Sequence, residues 1–392
     1  MPLNNSLKQS LKSSVIYTGL LSVVFVIFSW QKNPTSEIFI ALPFFIILYF
    51  IFFTIDRPNI SELLRKSTQN NIKLTSVFPF LLSMLFLLYL IVNGNNPLKS
   101  NALLVPYLLF FPVLAMAARR NNGKIDWFDF TIFVLFFFPV TLVDVRPSGD
   151  LPFNGGGFDS VYRIAVMLSA LFAFSILKNL NDIGAYPVFR WKFLITTIWV
   201  WLAFYLFVFL ISYPVHFIRF ADNNSWNFAR IEKIFRSIVS VFLHTALFEE
   251  LVFRGLLQNL LGKRIEQASS WKNSWMRGII ILIIISFIIG FSMKGSLHWF
   301  PALVTVFLFG AAYLFEKLKF QSMGSYTALA ITSVIFGLVH FHSGSIIFTG
   351  LAAIGGWAYG YVYMKTKNTF YAALLHALVN SSPIIFGIVL AK

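Results

Sequence analysis

The sequence predicts an all-α fold, a polytopic transmembrane helix bundle of about 13 spans with its N-terminus inside. Of the 392 residues, 58% are hydrophobic and only 12% are charged, whereas soluble proteins average about 25% charged residues. Apolar runs of about 15–25 residues, the length that a bilayer requires, recur along the whole chain. Basic residues fall between these runs, so membrane topology explains the net charge of +16 and no nucleic acid partner is expected.

The predicted spans follow the apolar runs in order. With the N-terminus inside, most of the 31 lysines and arginines lie in predicted inner loops, as the positive-inside rule requires. Residues 213–236 are an exception, because they are basic on the predicted outer side, and we expect an interfacial segment anchored by Trp226 and Phe228. The spans are predicted at 14–30, 38–54, 76–93, 102–118, 128–143, 161–177, 193–212, 237–261, 278–292, 298–316, 324–341, 345–363 and 369–391.

Polar residues divide the chain into unequal parts. Residues 1–212 form an N-terminal transmembrane region of unknown role, in which we expect almost no buried ionisable group. Residues 237–391 carry the polar residues that fall inside apolar runs. Cysteine is absent, which excludes disulfides, thiolate metal sites and a cysteine nucleophile.

The stretch "HTALFEELVFRG" places two carboxylates and an arginine in one apolar run. Unpaired, these three charges would cost on the order of 8–10 kcal/mol inside a bilayer. Glu250 and Arg254 are four residues apart, so on a helix they lie on one face and can form an ion pair. Glu249 points about 100° away from Glu250 and is free to face another group. A purely structural ion pair between helices is the alternative to a functional site.

Two further polar motifs follow in later apolar runs. "FGLVH" places Phe336 four residues before His340, and "HALVN" places His376 four residues before Asn380 on the last predicted span. A carboxylate can act as a general base on water, and imidazole and amide groups can stabilise an oxyanion. Two histidines and a carboxylate would equally suit a catalytic Zn²⁺. The residue types therefore permit hydrolysis of an amide, either by activated water alone or with a metal.

The three motifs together resemble those of the CAAX prenyl protease and bacteriocin-processing family of intramembrane proteases, also called CPBP or Abi. The resemblance covers about residues 237–391, with a two-span insertion near 278–316 between the first and second motifs. It implies that Glu249 and His340 activate water, that His376 and Asn380 form the oxyanion site, and that Glu250 and Arg254 support them. The family motifs E-E-x-x-x-R, F-x-x-x-H and H-x-x-x-N correspond to Glu249, Glu250 and Arg254, to Phe336 and His340, and to His376 and Asn380.

The resemblance predicts an intramembrane endopeptidase of the glutamic or metal-dependent type. Its substrate would be a membrane-associated peptide or protein, such as one with a leader peptide or a sorting signal, and membrane lipid would surround it. A bacterial plasma (inner) membrane is the expected location. Two alternatives remain open at this stage, a non-catalytic scaffold or immunity protein of the same fold and a proton-coupled transporter. A transporter would more often show paired halves with matching broken helices.

Overall fold

The computed structural model describes residues 3–30, 33–96, 104–119, 123–137, 151, 153, 157–214, 216–221, 226–294 and 296–390. The chain divides into two compact units, Met1–Pro187 and Val188–Lys392. The regions 1–212, 213–236 and 237–391 are predicted from the distribution of polar residues along the sequence. The roles assigned to these regions stay predictions.

The first unit contains seven helices in its described part. Its core is rich in aromatic rings, and Phe52, for example, packs edge-on against Phe158 with ring centroids 4.6 Å apart. The helices are α1 (Leu3–Ser29), α2 (Thr35–Ile55), α3 (Pro58–Asn70), α4 (Leu74–Val92), α5 (Leu104–Ala118), α6 (Trp127–Phe137) and α7 (Val161–Leu171, continued by the π-helical segment Phe172–Leu177).

The second unit contains a further seven helices and a two-stranded sheet among its described residues. The third motif lies on its last helix, and the first lies on a long helical run, α9, which spans residues 228–266. The elements are α8 (Trp191–Ser212), β1 (Ile218–Phe220), α9, α10 (Trp271–Ser292), α11 (Phe300–Lys317), α12 (Ser325–Val339, followed by the 3₁₀ turn His340–Ser343), α13 (Ile346–Thr366), α14 (Thr369–Phe386) and β2 (Ile388–Leu390).

The all-helical, membrane-spanning class is confirmed. Nine helices in the described ranges are long and apolar enough to cross a membrane, and α5, α6 and α7 are shorter apolar helices. Each of the 13 predicted runs overlaps a helix, although residues 138–143 of the fifth run lie outside the described residues. The number of true spans and the inside position of the N-terminus stay predictions.

The end of the chain departs from the prediction of one helix over 369–391. Helix α14 stops at Phe386, because Gly387 takes a left-handed backbone conformation with φ of 64°. The chain then forms β2, which pairs antiparallel with β1 inside the segment predicted to be interfacial. Arg230 strengthens this connection, since its guanidinium donates to the main-chain oxygens of Ile384 and Ile385.

Buried charges in the first unit correct the expectation that residues 1–212 contain almost none. Lys178 and Asp129 form an ion pair of 2.8 Å, and their side chains are only 3% and 1% exposed. Asp56 is also buried, and its carboxylate accepts hydrogen bonds from the Ser175 hydroxyl at 2.8 Å and from the Ala185 amide at 2.9 Å. Lys178 and Ala185, the partners of these two carboxylates, both lie in the connecting segment 178–187, and apolar run lengths contain no information about such contacts.

A glycine sets the distance between α12, which carries Phe336 of the second motif, and α13. A Cβ atom added to Gly337 on α12 would lie 2.5 Å from the Cβ of Ala353 and 2.7 Å from the main-chain oxygen of Thr349, both on α13. Only a residue without a side chain allows this approach, as is common where membrane helices pack closely. The contact fixes α12 against α13 and thereby positions the segment around His340.

Candidate active site

The first motif lies on a distorted part of α9. A four-residue α-helical segment, Leu247–Glu250, is flanked by the π-helical segments Phe242–Ala246 and Leu251–Gln258. π-Helical turns are rare and frequently occur at functional sites. They change the direction of side chains relative to a regular helix, so the geometry of the motif follows from this local winding as well as from residue spacing.

Glu250 and Arg254 form the predicted ion pair. The Nε atom of Arg254 lies 3.0 Å from Oε2 of Glu250, and both side chains are fully buried. The guanidinium also lies over the ring of Phe336, with 4.8 Å between its Cζ atom and the ring centroid. A cation over an aromatic face gains about 0.5–2 kcal/mol, more when it is desolvated. The ring centroids of Phe253 and Tyr359 lie 5.8 and 5.9 Å from the same Cζ atom, so the charge of Arg254 is balanced by the Glu250 carboxylate and surrounded by three aromatic rings.

Glu250 has a second partner on α14. Its Oε1 atom lies 2.9 Å from Nδ1 of His376, which is buried. An ionised carboxylate can only accept a hydrogen bond, so Nδ1 of His376 carries the proton and donates it. The Nε2 atom of His376 then accepts a hydrogen bond when the ring is neutral and donates one when the ring is protonated.

Glu249 is the carboxylate that remains free of these contacts. Its side chain is half-buried, and its Oε2 atom is buried without a hydrogen-bond partner in the described part of the chain. It interacts electrostatically with His340 of α12. The two adjacent glutamates therefore differ in environment, as their spacing predicts, since one is held by partners and the other is available.

His340 follows the C-terminal end of α12 and is half-buried. Its Nδ1 atom lies 2.7 Å from the main-chain oxygen of Phe336. A carbonyl oxygen only accepts hydrogen bonds, so Nδ1 carries the proton and Nε2 of the neutral ring is an acceptor. His340 thus offers a basic nitrogen on the side of its ring away from the main chain.

Phe336 joins the three motifs physically. Its ring centroid lies 4.7 Å from that of His340 and 5.8 Å from that of His376. It also packs edge-on against Phe253 of α9 at 5.1 Å. The first residue of the F-x-x-x-H motif therefore forms the apolar centre against which the polar residues of α9, α12 and α14 converge.

Asn380 is not brought into the same cluster. It lies one turn beyond His376 on α14, and its side chain is exposed. Across the described ranges, no hydrogen bond joins it to the other five residues predicted for the site. Its role in holding an oxyanion stays a prediction that rests on the motif and on its position along the helix.

Tyr359 is a site residue that the motifs did not identify. Its ring stacks on that of His376 with a centroid distance of 4.6 Å and an angle of 11°, and it is 3% exposed. The signal was present in "GGWAYGY", because the glycines around Tyr359 allow close helix packing. A Cβ at Gly356 would lie 3.2 Å from the Cα atom of Ser333 on α12. The packing of α12 on α13 thus holds the tyrosine against the histidine.

The residues do not fit the zinc site that the sequence left open. Within the described ranges, no group of three or more histidine, aspartate or glutamate side chains is arranged to hold a metal ion. The reason is visible at Glu250, whose two oxygens face Arg254 and His376.

Comparison with known proteins finds a family match within the second half of the chain. No curated protein and no solved structure matches it. The family model described as Type II CAAX prenyl endopeptidase Rce1-like matches residues 232–321 and 312–382. The first stretch contains the E-E-x-x-x-R motif, and the second contains the other two. Residues 232–382 thus match a family of membrane proteases, the Rce1-like type II CAAX prenyl endopeptidases, as the three motifs predicted.

Proposed function

We propose that the protein is an intramembrane endopeptidase that hydrolyses a peptide bond with a water molecule activated by Glu249 and His340. The main support is the difference between the two adjacent glutamates. Glu250 forms an ion pair with Arg254 and accepts a hydrogen bond from His376, whereas Oε2 of Glu249 is buried without a hydrogen-bond partner among the described residues and its charge faces His340. A buried carboxylate oxygen without a hydrogen bond is costly, and a bound water or a catalytic role accounts for such a group.

Water activation follows from the two hydrogen-bond acceptors at the site. Oε2 of Glu249 and Nε2 of His340 can each accept one of the two hydrogens of a water molecule. The water oxygen then directs a lone pair towards the carbonyl carbon of the substrate. Glu249 takes one proton as the oxygen–carbon bond forms. The aromatic surroundings, including Phe336 and Phe253, reduce screening and strengthen this interaction.

The oxyanion that forms requires hydrogen-bond donors. A protonated His376 keeps its Nδ1 hydrogen bond to Glu250 and presents Nε2–H to the oxyanion. The buried Glu250 stabilises that imidazolium, and Arg254 orients Glu250. We assign Asn380 as the second donor, from its side-chain amide. Glu249 finally returns its proton to the leaving nitrogen, the carbon–nitrogen bond breaks, and no covalent enzyme intermediate forms.

The substrate in this proposal is a membrane-associated peptide, such as a leader peptide or a C-terminal sorting signal. A peptide must leave its hydrogen-bonded secondary structure to reach a buried site, so a segment near the membrane surface is a better substrate than the middle of a transmembrane helix. We place the protein in the bacterial plasma membrane with its N-terminus inside, as the distribution of basic residues predicts.

Identification of new peptide termini in membranes tests this function without a known substrate. Membranes from cells that express the full chain are compared with membranes that contain Glu249→Gln or His340→Ala, and new amino termini are chemically tagged and sequenced by mass spectrometry. We expect termini that depend on the wild-type chain and are lost in both variants, because glutamine cannot take the proton that Glu249 would accept, and alanine removes the imidazole acceptor of His340.

Glu266→Gln is the matched control, because it makes the same chemical change at an exposed position near the end of the same helical run. It should leave all cleavage products in place. If Glu249→Gln yields the same termini as the wild type at equal abundance, the protein is not a peptidase of this kind. The same result would favour a non-catalytic scaffold or immunity protein of the same fold, or a proton-coupled transporter.

A further inference from the structure

An apolar cavity of about 710 Å³ lies in the second unit between α8, α11 and α13. Its walls are aromatic and aliphatic side chains, among them Phe204, Phe307 and Trp357. Lys365 provides a single positive charge among the lining residues that the structure describes. This volume lies within the range of about 300–1,000 Å³ that is typical of cavities binding one small molecule.

One face of α13 lines this cavity along its length. Ile354, Trp357, Ala358, Tyr361 and Lys365 all line it, at spacings that place them on one side of a helix. From Ile354 to Lys365 the helix rises by about 16 Å, at 1.5 Å per residue. That is about half of the roughly 30 Å hydrocarbon thickness of a bilayer, the depth of one leaflet.

The charge lies at one end of this face. Lys365 is exposed in the last turn of α13, and its Nζ atom lies 5.5 Å from the centroid of the Tyr361 ring. This end carries further lysines in the predicted inner loops, Lys317 at the end of α11 and Lys367 after α13. The inner leaflet contains anionic lipids, and a basic residue in direct contact with a bound headgroup contributes about 1 kcal/mol to its binding, or about fivefold in affinity. Lys365 lines the cavity and is placed for such contact, whereas Lys367 does not line it.

We propose that this cavity binds one anionic phospholipid of the inner leaflet. An acyl chain occupies the aromatic cavity along α13, and the phosphate of the headgroup lies against Lys365. The cavity is about as long as one leaflet is deep and has an apolar wall, which suits an acyl chain. Lys365 at its end suits the negatively charged phosphate. The lining includes none of the residues of the candidate active site, and the proposal does not rest on the proposed peptidase activity.

The lipid bound to the purified full chain provides the test. The protein is reconstituted with vesicles of phosphatidylglycerol and phosphatidylcholine in equal amounts, extracted in mild detergent and analysed by native mass spectrometry. We expect the wild type to retain one phosphatidylglycerol. Ala311→Trp should abolish retention because the indole obstructs the path of the acyl chain along the cavity, and Lys365→Gln should weaken it about fivefold.

Two matched control variants distinguish lipid bound in this cavity from lipid bound non-specifically to the transmembrane surface. Gly310→Trp adds the same ring to the neighbouring position, where a new Cβ meets no atom within 4 Å. Lys367→Gln removes the same charge from an exposed position that does not line the cavity. Both should retain the lipid as the wild type does. Equal retention by all five proteins, or equal retention of the two lipids by the wild type, would overturn the proposal.

Discussion

Replacing Arg254 by alanine tests whether the buried ion pair holds the site together. Arg254 and Glu250 are both fully buried, with 3.0 Å between Nε and Oε2. The substitution leaves Glu250 buried with only the hydrogen bond from His376. It also removes the cation from the ring of Phe336. Removing one member of a buried pair costs about 3–5 kcal/mol, because the remaining charge is no longer compensated.

The expected effect is large relative to the stability of a typical domain. A loss of about 3–5 kcal/mol lowers the ratio of folded to unfolded protein by roughly two to three and a half orders of magnitude. For a unit the size of Val188–Lys392, it lowers the melting temperature by roughly 6–20 °C. Glu249→Gln should have almost no effect on stability, because Oε2 of Glu249 has no hydrogen-bond partner to lose among the described residues.

The measurement is thermal unfolding in detergent, followed by tryptophan fluorescence, with abundance in the membrane as a second readout. Arg236→Ala is the matched control, since Arg236 and Glu232 form a 2.7 Å pair at the same spacing on the same helical run but are 41% and 48% exposed. Exposed pairs contribute about 0–1 kcal/mol, so this variant should melt close to the wild type.

A double variant distinguishes the lost charge balance from lost packing. Glu250→Gln combined with Arg254→Met removes both charges and keeps most of the buried volume, so it should recover much of the stability that Arg254→Ala loses. Our reasoning would be refuted if Arg254→Ala melted within about 2 °C of Arg236→Ala. The pair would then contribute to chemistry alone and not to folding.

Three further predictions concern topology, pH and the nucleophile. The chain has no native cysteine, so Lys124→Cys should be labelled only from the cytoplasm and Ser296→Cys only from outside. Burial raises the pKa of Asp56 to about 6, against 3.8 for an unperturbed carboxyl. The folded state therefore holds a proton that the unfolded chain releases, and stability should fall by about 3 kcal/mol as pH rises from about 4 to 6. Covalent serine- and cysteine-directed inhibitors should leave activity unchanged, because the proposed mechanism uses water activated by Glu249 and no serine or cysteine nucleophile.

Each of these predictions has an outcome that would contradict it. Labelling of the two cysteines from the opposite sides would reverse the topology. Asp56→Asn should abolish the fall in stability between pH 4 and 6, because asparagine keeps a hydrogen bond with Ala185 without a titrating proton; a fall that persists assigns it to another group. A serine acyl-enzyme, or inhibition by phenanthroline that added metal reverses, would contradict the proposed attack by water at Glu249.

Much of the fold could be predicted because membrane insertion depends on local properties. Run length and charge content are enough to locate apolar helices, and each predicted run overlaps one. The errors occur where structure depends on distant residues. β2 requires β1, about 170 residues earlier in the chain, as its partner. The buried position of Asp56 requires the segment that contains Ala185. Neither contact leaves a pattern within one apolar run.

In the candidate site too, contacts within one helix could be predicted from the sequence, whereas contacts between distant residues could not. The pair of Glu250 and Arg254 was predictable because both residues lie on one helix, four positions apart. The hydrogen bond from His376 to Glu250 joins residues 126 positions apart. It decides which carboxylate is held and fixes the proton on Nδ1. Spacing alone indicated that the two glutamates differ, but the packing of α14 on α9 determines how.

Packing also explains why an apolar residue has a central place in a site of charged ones. In a membrane, buried charges need partners, and partners on different helices must be held at hydrogen-bond distance by apolar contacts. Phe336 makes those contacts with Arg254, His340 and His376. A change in its ring would therefore displace several polar groups at once. The phenylalanine of the F-x-x-x-H motif is thus a positioning residue for the whole site.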